Sequence, residues 1–172
     1  MQTDQHEAEL RTYRPAGAPD LPQHYVWPRY EGRSVGNLAT TVGGILGADM
    51  PDRMLPPLEH DILDGMLDGV QRVVLIVVDA LGWLQLRRTM AAYDDLVFHR
   101  LAEDGRLMPI TTTFLSTTNS VLSCIWTGRP PAHHGLLAYE LYLREWMMAV
   151  EAIGFSSPQE PFSGTLMRWG FD

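Results

Sequence analysis

The run Arg72-Val73-Val74-Leu75-Ile76-Val77-Val78 constrains the fold of this chain more than any other feature. Beyond Arg72 it is continuously apolar and mostly β-branched. A strand with one wet face alternates apolar and polar residues. An unbroken apolar run reads instead as a strand buried on both faces, as inside a parallel sheet. The run stops at Asp79-Ala80-Leu81-Gly82. In open α/β sheets, ligands bind beyond the carboxyl ends of the strands, which is where Asp79 falls. An Asp after an apolar strand is equally a turn or capping residue, and this run alone does not separate the two readings.

The next segments supply a partner for it. Residues 84–104 carry a helical pattern, broken near Tyr93-Asp94 and stopped by Gly105. Leu107 to Phe114 reads as a second strand. Strand, helix, strand over this length is a βαβ unit, whose crossover is almost always right-handed. Thr117-Thr118-Asn119-Ser120 then opens an apolar helix over 119–127, with Gly128 as its stop and Pro130-Pro131 beyond. Thr118 thus lies past the carboxyl end of the second strand, at a helix N-terminus. Unpaired N–H groups and the helix dipole favour an anion there. Taken alone, Thr118 reads as an N-cap. Taken with Asp79 it puts a hydroxyl and a carboxylate at one sheet edge, where they can hold a metal ion and attack phosphorus. A threonine hydroxyl needs a base or a metal to become a nucleophile, and two metal ions about 4 Å apart can supply that.

The remaining chain is less specific. Residues 1–33 hold four prolines among Tyr13, Tyr25, Trp27 and Tyr30 and read as an irregular arm packed by its aromatics, or over 1–20 as a loose tail. Residues 34–172 read as one partial α/β domain. Ser34 can cap a helix with Val35, Leu38, Val42, Ile45 and Leu46 on one face. Leu58, Ile62, Leu63, Met66 and Leu67 predict a second short helix. Alternation of Tyr139, Leu141 and Leu143 with Glu140, Tyr142 and Arg144 favours a strand, followed by a second strand over 147–153. His133 and His134 are adjacent, so packing and hydrogen bonding are favoured over joint metal binding. Cys124 reads as a buried, inert thiol.

Composition excludes several classes. The net charge is −8, against an anionic membrane or nucleic-acid duplex surface, both of which need clustered Lys and Arg. A single cysteine in 172 residues permits no internal disulfide, which fits a reducing compartment. No apolar run approaches the roughly 18 residues of a membrane span, and no signal peptide is visible. A cytoplasmic location is expected.

Two segments together resemble the alkaline phosphatase superfamily, most closely its nucleotide pyrophosphatase/phosphodiesterase branch. They are Val73–Gly82 and Thr117–Gly135, the latter reading Thr-Thr-Asn-Ser-Val-Leu-Ser-Cys-Ile-Trp-Thr-Gly-Arg-Pro-Pro-Ala-His-His-Gly. The resemblance implies the first half of an alkaline-phosphatase-like fold, with a mostly parallel sheet flanked by helices. It implies hydrolysis of a small phosphodiester or phosphomonoester with two divalent ions, zinc above all. Asp79 would bind one ion and Thr118 the other. Thr118 would attack phosphorus to give a phosphothreonine, with the Asn119 backbone N–H holding a transferring oxygen. Where branch members often carry an Asn after the His-Gly glycine, this chain has Tyr139. The family's further Asp and His ligands have no counterpart here. They are expected downstream of residue 172, in a missing C-terminal half, and the isolated fragment is expected to be inactive. Two alternatives stand. One is a phosphonate or sulfate ester hydrolase, although Cys124-Ile-Trp-Thr-Gly does not fit the sulfatase pattern. The other is a catalytically inactive binding module.

Overall fold

A computed structural model describes residues 2–22 and 24–154 of the chain. Its first element is helix α1, Gln2–Thr12, where an irregular arm is expected from sequence. The prolines that argue against a helix begin only at Pro15. Before them, Gln5 bonds Glu9 and Glu7 pairs with Arg11 at 2.8 Å, both at the four-residue spacing that supports helix. His6 and Leu10 are buried. Over residues 13–22 and 24–33 the chain is irregular, as its prolines require.

A polar knot follows at the centre of the molecule. Ser34 precedes one 3-10 turn, Val35–Asn37, which runs into helix α2, Leu38–Ile45. Ser34 donates to the Asn37 side-chain oxygen from both its backbone N–H and its hydroxyl. The Asn37 amide in turn donates to the carbonyls of Tyr30 and Pro56, each at 2.8 Å. Both residues are fully buried, so each polar atom needs such a partner. Thr41 accepts from the Leu58 N–H, and Thr40 donates to the Leu55 carbonyl. Together they tie α2 to the Pro-rich connector. Beneath lie Cys124 and Ile125 of helix α6, Thr118–Thr127.

Helix α3, His60–Leu63, is a single turn; the longer apolar pattern ending at Leu67 does not extend it, because Gly65 turns the chain with φ 72°. The helical pattern of 84–104 is realised as α4, Trp83–Ala92, and α5, Val97–Asp104, separated near the expected break. Gly105 ends α5, and Gly128 ends α6 in the left-handed conformation. Helix α7, Pro131–His134, is one turn that sequence reading missed; proline at its first position suits a helix start. Strands β1, Glu140–Leu143, and β2, Met148–Glu151, form the expected pair. They run antiparallel, with Leu141 opposite Val150 and Leu143 opposite Met148.

The expected parallel sheet is not formed among the described residues. The chain is a mixed α and β fold, and its one ladder is the antiparallel β1–β2 hairpin. Residues 72–78 make no ladder, and Val74 and Ile76 are 84% and 79% exposed. The second expected strand, 107–114, contributes one isolated parallel bridge, Thr111 with Ser34. There the Val35 N–H donates to the Thr111 carbonyl and the Thr111 N–H to the Arg33 carbonyl. The physical reason is pairing. An apolar run suited to a sheet interior needs a hydrogen-bonded neighbour and a covering layer on each face. The described residues give 73–78 neither.

Candidate active site

Asp79 and Thr118 come together although 39 positions separate them in sequence. The Thr118 Oγ1 hydroxyl donates to Asp79 Oδ2 at 3.2 Å. The other Asp79 oxygen, Oδ1, accepts from the Ala80 N–H at 2.9 Å. This turns the chain sharply, and Ala80 takes φ 60°, a left-handed conformation that costs a non-glycine residue roughly 1–2 kcal/mol. Gly82 then leads into α4.

The local geometry of α6 decides which threonine is free. Thr117, not Thr118, is the N-cap: its side chain accepts from the Ser120 N–H. Thr118 is therefore the first helical residue, and its hydroxyl is released from capping to meet Asp79. The N–H groups of Thr118 and Asn119 belong to the first turn, where no intrahelical acceptor exists. Asn119 is 7% exposed, and its side-chain amide donates to the Ala138 carbonyl at 3.2 Å. That bond spans from α6 to the approach of the hairpin and turns the side-chain amide to that carbonyl.

The pair lies on a cleft of about 530 Å³, between the turn 77–83 and the stretch 107–112. That volume is within the range of small-molecule sites. Val77, Trp83, Ile110 and Val121 supply apolar walls, and Asp79 and Thr118 the polar groups. A larger cleft of about 830 Å³ runs between α2 and α3, but holds none of the candidate catalytic or metal-binding residues Asp79, Thr118 and Asn119.

Neither histidine of the 133–134 pair reaches Asp79. His134 Nδ1 accepts from the Leu136 N–H at 3.0 Å, which places the proton of the neutral ring on Nε2. Nε2 faces the Cys124 sulfur at 3.3 Å. Burial holds the His134 imidazole below its ordinary pKa, and burial pushes the Cys124 thiol up to about 11. A protonated, buried thiol beside a neutral ring is a packing contact and not an activated nucleophile. Tyr139 is also engaged. Its phenol donates to Glu151 across the hairpin, and this bond raises its pKa. Tyr139, which stands where branch members often carry an Asn, thus has its phenol turned toward β2.

Among the described residues, no group of three or more His, Cys, Asp or Glu could hold a metal ion. Asp79 and Thr118 are two hard oxygen donors of the type that suits a divalent ion, but a site needs more. Sequence reading also missed Glu7 and Trp83, which are bonded to each other beside this cleft. With 76 positions between them, no local pattern announces the contact.

Nothing among curated proteins or solved structures matches the chain. A family model does match, over residues 73–151, and its description is type I phosphodiesterase / nucleotide pyrophosphatase. This interval begins with the apolar run and ends with β2, so it contains Asp79, Thr118 and the Thr117–Gly135 motif. The segment 73–151, which supplies most of the cleft's lining, is thus similar to the type I phosphodiesterase / nucleotide pyrophosphatase family, a family of phosphoester hydrolases, in keeping with the resemblance to the alkaline phosphatase superfamily.

Proposed function

We propose that this chain carries the nucleophile half of a metal-dependent phosphoester hydrolase acting on a phosphodiester or phosphomonoester, with Thr118 as nucleophile. The supporting observation is the 3.2 Å contact between Thr118 Oγ1 and Asp79 Oδ2. The contact holds the hydroxyl beside the carboxylate on the cleft that both residues line. The new bond would join Oγ1 to phosphorus as the bond to the leaving oxygen breaks. The Asn119 N–H, in the first turn of α6 where no intrahelical acceptor exists, would hold a phosphoryl oxygen.

Asp79 alone does not activate this hydroxyl. A carboxylate is too weak a base to take the proton of an unassisted hydroxyl, which needs a stronger base or a metal ion to become a nucleophile. Two zinc-like divalent ions would supply that activation, with Asp79 a ligand of one and Thr118 of the other. The remaining ligands would come from outside the described residues, together with the strands that complete a parallel sheet around 73–78. Isothermal titration of the 172-residue chain with zinc is expected to show weak binding. Tight uptake of two ions would overturn this division of ligands. In the zinc-loaded enzyme, Thr118→Ala is expected to reduce hydrolysis of a chromogenic phosphodiester to background while the fold is kept. Unchanged turnover removes Thr118 from the reaction.

A second reading, a binding module without catalysis, is favoured by one observation: the described residues assemble no three-ligand metal cluster. It predicts phosphate-ester binding with no turnover at any zinc concentration.

A further inference from the structure

Helix α1 reaches the turn that carries Asp79, and it does so through one carboxylate. Glu7 Oε2 accepts from the Trp83 indole Nε1–H and from Arg87 Nη1, each at 2.7 Å. Its other oxygen, Oε1, accepts from Arg11 Nε at 2.9 Å and is held there along α1. Asp4 adds a second tie to Arg87 at 3.1 Å, and the Arg87 guanidinium lies over the Trp83 ring. Trp83 is the first residue of α4, four positions after Asp79, and lines the same cleft as Asp79 and Thr118.

No residue of α4 is fully buried, and its first residue, Trp83, is only partly buried, so polar bonds have a large share in fixing its start. Here the anchor is a carboxylate with three charged or aromatic donors, of the strong charge-assisted kind. The Glu7 side chain is 15% exposed, which limits competition from water.

We propose that Glu7 is a positioning residue for the candidate site: through Trp83 it fixes the Asp79–Gly82 turn against Thr118. This rests on the reading of Asp79 and Thr118 as the reacting pair. It assigns a role to a helix that lies outside the family-matched segment. The hydrogen bond from Trp83, with those from Arg87 and Arg11, also lowers the Glu7 pKa to about 2, so the anchor stays ionised at any neutral or mildly acidic pH.

The test is solution NMR of the full chain. The Trp83 indole N–H signal, assigned by its loss in Trp83→Phe, is followed with amide exchange in wild type, Glu7→Ala and Glu7→Gln. Glu7→Ala is expected to shift the indole signal and to speed exchange at Ala80 and Leu86 by tenfold or more, with α6 amides unchanged. Glu7→Gln keeps an acceptor for the indole and is expected to restore most of that protection. Unchanged exchange at Ala80 and Leu86 overturns the proposal. So does an increase spread equally over α6, which marks a general loss of stability. Should Glu7→Ala not fold, Trp83→Phe, which removes the donor, is read for the same local increase. The hydrolysis test of Thr118→Ala does not read this contact. A failed hydrolase reading with a positive exchange result would leave Glu7 fixing a turn that has no catalytic duty.

Discussion

Thr117 and Thr118 are neighbours of one residue type, and the structure gives them different work. Thr117 caps α6, and its replacement by Ala is expected to cost about 1 kcal/mol in urea denaturation. Thr118 bonds an exposed carboxylate, so Thr118→Ala is expected to cost clearly less in the same titration, well under 1 kcal/mol. Equal costs would return the capping role to Thr118. The sequence alone favours Thr118 as a cap, because two adjacent threonines offer no local signal of which takes the non-helical backbone. His134 makes a second residue-level case. Burial lowers its pKa from the ordinary 6.5, so the unfolded chain takes up a proton more readily than the folded one. Its contribution is complete above about 6.5 and is lost progressively as pH falls toward the lowered folded value. Urea midpoints measured across that window are expected to fall with pH in wild type and to flatten in His134→Gln. A hydrogen-bonding and packing role for His134 was expected from its adjacency to His133, and its ring takes one with Leu136 and Cys124. That its partner is Cys124 was not legible, since nothing in spacing pairs a helix cysteine with the next turn's imidazole.

Elements with local instructions are the ones that could be read. The 119–127 helix has an apolar face and a glycine stop, and α6 forms within one residue of it. Gly128 stands at φ 62° with Ala39 Cβ 3.3 Å from where its own Cβ would be. Gly128→Ala therefore meets both left-handed strain and crowding, and is expected to cost about 2 kcal/mol in thermal or urea unfolding. A cost near zero would mean that α2 moves away freely. The hairpin was legible because alternation is a one-strand property. Helix α1 was not: proline density further along the arm outweighed the two charge and amide pairs that support it. The apolar run 72–78 shows a different failure. Its pattern states what environment the segment suits, and pairing depends on residues far away, of which the described chain provides the single Ser34–Thr111 bridge.

At the scale of the whole molecule, that run leaves a surface to be reckoned with. Val74, Leu75, Ile76, Val77 and Val78 are all at least 40% exposed. They form an uncharged, proline-free stretch of high β-propensity, the composition that favours association between chains. Static light scattering of the isolated chain is expected to show association that rises with concentration. Ile76→Lys, at a position 79% exposed, is expected to suppress it while changing stability by less than about 0.5 kcal/mol. Equal scattering from both chains would place the contact elsewhere.

The central knot has a temporal consequence as well. Arg33 and Thr111 meet across 78 positions, so the buried polar groups around Ser34 and Asn37 gain their last neighbours only after a long loop has closed. Contacts so distant along a chain slow folding. On a ribosome, the opening third of the polypeptide would emerge well before Thr111 does, and would have to stay unsettled in the meantime.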